Sequence, residues 1–278
     1  FAVKLHSASF VVAVLFAAVL NFAGAMFSTG VAKTIGGDIV SSAKMVDQHI
    51  IIAALVGAIF WNLLTWWKAI PSSSSHALVG GIMGAVLIST GTTGLNWFGI
   101  MKIVASLILS PLLALGIGFL IMKTLGFIFC NFAPAKLNHK FKKMQILSAG
   151  LMAFSHGSND AQKAMGIITL ALLSGGYINT LEVPIWVKLA AATAMGLGTA
   201  AGGWKIIKTM GGKIFKLEPI SGFAADLNSS MVVFGATLLH LPVSTTHVVS
   251  GSIMGVGTAK RLSAVRWGVA QQMLMAWV

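Results

Sequence analysis

Apolar stretches of membrane-crossing length follow one another almost without a gap, at roughly 7–35, 46–67, 71–91, 97–123, 146–173, 184–203, 219–240, 242–257 and 264 onward. One passage through the hydrocarbon layer takes about 20 apolar residues, so lipid is the solvent this chain is built for. The charge content agrees: 9% of the 278 residues are charged, against about 25% in an ordinary soluble domain. The expected fold is all-α, a polytopic helical membrane protein. Glycine, proline and serine clusters puncture several stretches, and irregular backbone at membrane depth is tolerated only where it is buried in protein or lines a wet cavity. Interrupted helices are therefore expected at those punctures.

The formal charge of +13 would point to nucleic acid in a soluble chain. Here the bases gather between apolar stretches, so no nucleic acid partner is expected. Lys136, Lys140, Lys142 and Lys143 form one group (136–143); Lys205, Lys208, Lys213 and Lys216 a second (205–216); Lys260, Arg261 and Arg266 a third (260–266). The positive-inside rule assigns all three to the cytoplasm, which makes this a multi-pass protein of the plasma membrane. Tryptophans at segment ends, among them Trp66, Trp67, Trp97, Trp186, Trp204 and Trp267, read as interfacial anchors. Cys130 stands alone and rules out an internal disulfide or a cysteine-built metal site. The chain opens Phe1-Ala2-Val3-Lys4 and stops at Trp277-Val278 inside an apolar stretch, so it reads as a fragment.

A repeat organises the rest. Pro71-Ser72-Ser73-Ser74-Ser75-His76 leads to Gly81-Ile82-Met83-Gly84, and Pro242-Val243-Ser244-Thr245-Thr246-His247 leads to Ser252-Ile253-Met254-Gly255, at an offset of 171 residues. Upstream, Lys33-Thr34-Ile35-Gly36-Gly37 recurs as Lys208-Thr209-Met210-Gly211-Gly212. Five crossings separate the two copies. An odd count threads them in opposite directions, which divides the chain into a first repeat (1–123), a basic cytoplasmic linker (124–145) and a second repeat (146–278). Inverted repeats of this kind are typical of secondary transporters, whose substrate lies near the midplane where broken helices of the two halves meet.

Each proline-led element reads as a helix that starts inside the membrane. Proline suits the first turn, and serine or threonine oxygens cap the free amides. A helix start presents unpaired N–H groups and the positive end of a dipole, which together favour an anion. Ser73, Ser74, Ser75, Ser244, Thr245 and Thr246 add hydroxyls without adding charge, and are the expected substrate contacts. The second constellation is Ser155-His156-Gly157-Ser158-Asn159-Asp160-Ala161-Gln162-Lys163. A carboxylate at that depth costs about 2.5–3.5 kcal/mol on insertion scales, so Asp160 needs a partner. That partner is either a bound cation, with Gly157 allowing the helix to unwind and free carbonyls, or Lys163 one turn away. Asp226, several residues into an apolar stretch, is a further candidate for the cation site. Shifting the 155–163 element back by 171 places its counterpart upstream of Phe1.

SHGSNDAQKA, PVSTTHVVSGSIMGVG and the earlier PSSSSHALVGGIMG resemble the signatures of the inorganic phosphate transporter (PiT) family over nearly the whole chain. The resemblance implies a dimeric inverted-repeat symporter that moves phosphate with sodium or protons. It implies substrate contacts from both proline-led segments, with Asn159 and Gln162 beside them, and cation contacts from Asn159 and Asp160, the latter as sodium ligand if sodium is the ion. The 157–163 stretch departs from the GANDVAN-like pattern at Ser158 and Gln162, which leaves sodium and proton open. No cofactor and no catalytic residue is expected. Sulfate is the alternative cargo for the same architecture, and an intramembrane hydrolase using Ser155 or Ser158 with a histidine is a remote second alternative.

Overall fold

The 171-residue offset seen in one motif governs the backbone over much of the chain. A computed structural model describes residues 7–201, 210, 212 and 214–277. Among them lie α1 (Ser7–Phe27), α2 (Gly30–Gly37), α3 (Gln48–Trp67), α4 (Ser74–Thr90), α5 (Trp97–Ile128), α6 (Pro134–Ser174), α7 (Ile185–Ala201), α8 (Pro219–Leu238), α9 (Thr245–Lys260) and α10 (Trp267–Trp277). Both ends of α3 recur 171 residues later in α8, and so does the start of α4 in α9. Each of these pairs is followed by a short 3-10 turn, Gly91–Gly94 in one half and Leu262–Ala264 in the other. The upstream echo at Lys208, Thr209 and Gly211 lies outside the described residues, as do Trp204, Lys205 and Lys213.

The breaks before α4 and α9 are built alike. Ala69 (φ 56°) and His240 (φ 59°), again 171 apart, both adopt the left-handed conformation. Ile70 N–H reaches back to Thr65 O (2.9 Å) and Leu241 N–H to Ala236 O (2.8 Å). This is the wrapped C-terminus that satisfies a helix's last carbonyls while turning the chain. Glycine is the usual residue at such a position; here alanine and histidine accept the strain, about 1–2 kcal/mol for an L-residue. A further break lies between α1 and α2, which bend by 68°.

The helix starts follow from their residues. Asp47 caps α3 by accepting the Ile50 N–H (2.8 Å). Asn96 caps α5 at Gly99 (3.2 Å). Pro219 opens α8 behind a Glu218–Ser221 capping box, and Pro134 opens α6. α3, α4 with its following 3-10 turn, and α5 are each long and apolar enough to cross a membrane, as is the bent α1–α2 pair taken as one span.

α6 is the centre of the molecule and packs against α1, α2, α7 and α8, while α9 lies along α5 and α8. One of the two sequence readings of Asp160 has Gly157 permit this helix to unwind. Instead α6 runs unbroken for 41 residues, and Gly157 serves a close crossing: a Cβ there would lie 2.0 Å from Asn21 O of α1. Gly24 answers from the other side, its own Cβ position 2.0 Å from Phe154 O. Small residues that let two backbones touch are how helices associate in lipid.

Residues 124–145 contain the end of α5, a turn, and the first turns of α6, so that group 136–143 is helical. Phe141, Ile214, Phe215, Ile220, Val256 and Val265 share one buried cluster. This brings the described members of all three basic groups to the same end of the bundle, where Lys260 pairs with Glu218 at 2.6 Å.

Candidate functional site

The two proline-led helix starts form the same cap. Ser73 Oγ accepts the N–H of His76 (3.2 Å), and Ser244 Oγ accepts the N–H of His247 (3.3 Å). Both are buried. These hydroxyls thus set the first turns of α4 and α9 and leave the amides ahead of them as the free donors of each helix start.

The two tips meet. Ser75 Oγ donates to Val243 O (3.0 Å) in the break before α9. The imidazoles of His76 and His247 stand 4.7 Å apart, tilted by 37°. On its other face His247 stacks on Trp277 at 3.7 Å, and the Trp277 indole N–H donates to Pro71 O (3.0 Å). Among the described residues His247 Nε2 is buried without a hydrogen-bond partner. Ser74, by contrast, is exposed, and Thr246 is half-buried.

α6 passes beside this junction and presents His156, Asp160 and Lys163 on one face, as spacings of four and three residues require. Asp160 is held from three sides. Thr245 Oγ1 donates to Oδ2 (2.6 Å), His156 Nε2 lies 2.9 Å from the same oxygen, and the Lys163 ammonium is paired with Oδ1. Lys163 Nζ also donates to Ser75 Oγ (2.6 Å) and Val243 O (2.7 Å). The expectation that Asp160 has a partner is thereby met by Lys163 rather than by an unwound stretch of its own helix. His156 is fixed from its second nitrogen by Asn21 Oδ1 of α1 (2.6 Å).

Asn159 and Gln162 hold the breaks themselves. Asn159 Nδ2 donates to Thr237 Oγ1 (3.1 Å) and Leu241 O (3.2 Å), and its Oδ1 accepts the Val243 N–H (3.3 Å). It thus ties the α8–α9 break to α6. Gln162 Oε1 accepts the N–H groups of Val31 (2.8 Å) and Ala32 (3.2 Å) at the start of α2. Both side chains are fully buried and lie one layer behind the junction.

Asp226 is not brought to this cluster. It sits on α8 beside Ser148, twelve residues and about 18 Å along α6 from Asp160 at 1.5 Å per residue, with Oδ2 buried and unpartnered among the described residues. Its burial in an apolar stretch is as expected; the shared chamber with Asp160 is not, because α8 meets α6 along its length and the two acids fall at different heights.

A cavity of about 430 Å³ opens between α6 and α7, lined by His156, Asp160, Ala161, Ala164, Ala191 and Met195 among others. Asp160 therefore has the helix tips on one side and the cavity on the other. Sequence reasoning passed over His156 and Asn21. The four-residue spacing from His156 to Asp160 was a usable signal; nothing local links Asn21 to His156, 135 residues away. Among the described residues the hydrolase alternative finds no assembled triad at its serines: Ser155 Oγ donates to Leu151 O (2.8 Å) and Ser158 Oγ to Ser155 O (2.8 Å), both on their own helix.

Comparison with known proteins bears on what such a junction carries. A family model described as "Phosphate transporter family" matches residues 1–278. A probable low-affinity inorganic phosphate transporter of Bacillus subtilis (strain 168) is 52% identical over 268 residues, covering 96% of this chain and 80% of that protein. A protein of the same description in Rhizobium meliloti (strain 1021) is 44% identical over the same shares. Among solved structures, one titled "The sodium-dependent phosphate transporter" superimposes with a TM-score of 0.83 at 28% identity, covering 95% of this chain and 84% of that one.

Proposed function

The chain belongs to the phosphate transporter family, and from that premise we propose that it is a symporter carrying inorganic phosphate across the membrane with a cation. The observation that carries the reading is the meeting of two identically capped helix starts, one from each repeat, around a buried lysine and aspartate. Phosphate is held between the tips by first-turn amides and by the Thr246 hydroxyl, while Ser75 and Thr245, whose protons go to Val243 O and Asp160, hold Lys163 and Asp160 beside it. Ser73 and Ser244 shape the turns, and Asn159 and Gln162 keep the breaks in register. The cavity beside Asp160 and His156 supplies the way in.

Each helix end contributes only about half a charge, so a divalent anion needs further positive charge in the site. A co-transported cation, sodium or a proton, offsets it, and ions that share a site electrostatically raise one another's affinity. Asp160 is the negative pole through which that cation is felt. The relatives are named for phosphate, which gives sulfate no support. The basic end of the bundle faces the cytoplasm of a plasma-membrane protein, and the assembly is a homodimer.

Uptake of radiolabelled phosphate into liposomes carrying the purified protein tests this. Excess unlabelled phosphate abolishes uptake and equal sulfate leaves it intact, and Ser75→Ala and Thr245→Ala each lower it by about tenfold, as loss of a hydrogen bond to a charged group predicts. Equal competition by sulfate would move the reading to that anion; absence of uptake would end it.

A further inference from the structure

Lys163 is an unusual residue to find at the junction, and its surroundings explain what it does there. Its side chain is 4% exposed. The ammonium carries three protons, and three oxygens receive them: a carboxylate from Asp160, a hydroxyl from Ser75 and a main-chain carbonyl from Val243. The three come from three places: α6 itself, the α4 tip of the first repeat, and the unwound segment before α9 in the second. Carboxylate, hydroxyl and carbonyl oxygens are hard ligands suited to a small cation, and transporters turn unwound backbone carbonyls on their coupling cations at the repeat interface.

We propose that the Lys163 ammonium is a tethered cation occupying the position a transported sodium ion would take, so that phosphate uptake at this site proceeds without sodium. This deepens the phosphate reading and rests on it. A lysine head group is a compact point charge on a flexible stem, similar in charge to the ion it stands in for. It cannot leave with the cargo. A sodium ion could take the same three oxygens only by displacing Nζ from them. The charge that neutralises Asp160 is therefore permanently present, Asp160 serves to hold Lys163 in place, and a proton is left as the co-transported cation of the symport reading. The sodium role expected of Asp160 from its sequence thus passes to a side chain three residues further along the same helix.

The test is to remove the tether. The full chain is purified as wild type, Lys163→Ala and Lys163→Gln. Each protein is assayed for saturable binding of radiolabelled sodium in detergent and for phosphate uptake in liposomes, with sodium or N-methylglucamine outside at equal ionic strength. Wild type binds no sodium saturably and takes up phosphate equally in both media. Lys163→Ala leaves the oxygens without their ammonium; it binds sodium, and its uptake becomes sodium-dependent by about tenfold, within the usual range of coupling between bound ligands. Lys163→Gln retains a donor toward Ser75 and Val243 and guards against misfolding of the smaller variant. Sodium binding by the wild type, sodium-dependent wild-type uptake, or failure of both variants to bind sodium overturns the proposal. If the sodium-binding pattern appears while wild type takes up no phosphate in either medium, the phosphate reading falls and the tethered cation stands.

Discussion

Replacing Gly157 by alanine probes the α1–α6 crossing on which the site is built. The added Cβ would meet Asn21 O at 2.0 Å and the Asn21 C and Cα atoms at 2.7 Å, where ordinary contact begins at 3.4 Å. These are backbone atoms, so no side chain can swing away; α1 must retreat by the difference, about 1.4 Å. The hydrogen bond from Asn21 Oδ1 to His156 Nδ1, now 2.6 Å, does not survive that shift, and His156 loses the anchor that aims it at Asp160. Overpacking costs about 1–3 kcal/mol and a lost hydrogen bond about 0.5–1.5 kcal/mol, for a total on the order of 2–4 kcal/mol. At about 2–4 °C per kcal/mol, thermal unfolding in detergent should drop by roughly 5–15 °C. Gly80→Ala is the internal control: it lies within α4 with nothing inside 4 Å of the new atom, and replacing a helix-interior glycine gains up to about 1 kcal/mol. If Gly157→Ala melts with Gly80→Ala, the crossing is not as tight as described and the argument from it fails.

Asp160→Asn leaves the Lys163 ammonium buried beside a neutral amide and should destabilise the protein by about 3–5 kcal/mol, whereas Asp160→Asn with Lys163→Met should recover most of it; a double variant as unstable as the summed single losses would contradict a coupled pair. Ser74→Ala, at an exposed position, should leave phosphate affinity within about twofold of wild type, since surface substitutions rarely exceed about 0.5 kcal/mol, while uptake falls far more for Ser75→Ala; equal losses in uptake measurements would remove the distinction between the two hydroxyls. Ala69→Gly relieves a left-handed residue (φ 56°) and should raise the unfolding temperature, by about 1 kcal/mol in stability. A lowered melting point would show that the break owes its shape to something other than the αL turn.

The doubled proline-led motif was open to reading because its side chains act locally: a serine oxygen three residues ahead of the amide it caps is a pattern written in adjacent letters. The matched breaks at Ala69 and His240 were hidden for the opposite reason. Left-handed helix ends are normally marked by glycine or asparagine, and neither residue type here announces one. Gly157 was misread because glycine answers to two physical demands, unwinding and close approach, and only the position of α1 tells them apart. Asn159 and Gln162 carry groups suited equally to a ligand and to an orphaned backbone amide; their partners, Val243 and Val31, lie 84 and 131 residues away. The Asp160–Lys163 pairing, one helical turn apart, was within reach from spacing alone, as one of two readings that the fold then separated.

The unbroken course of α6 limits how a molecule like this can work. At 1.5 Å per residue a 41-residue helix is about 60 Å long, twice the depth of the hydrocarbon layer, and its main chain is spoken for at every step through the level of Asp160. Nothing along that mast can hinge to let cargo by. Among the described residues the places where the backbone leaves its regular course are the left-handed joints at Ala69 and His240 and the 68° bend between α1 and α2, so any movement between the two faces of the membrane has those joints to use and not the mast.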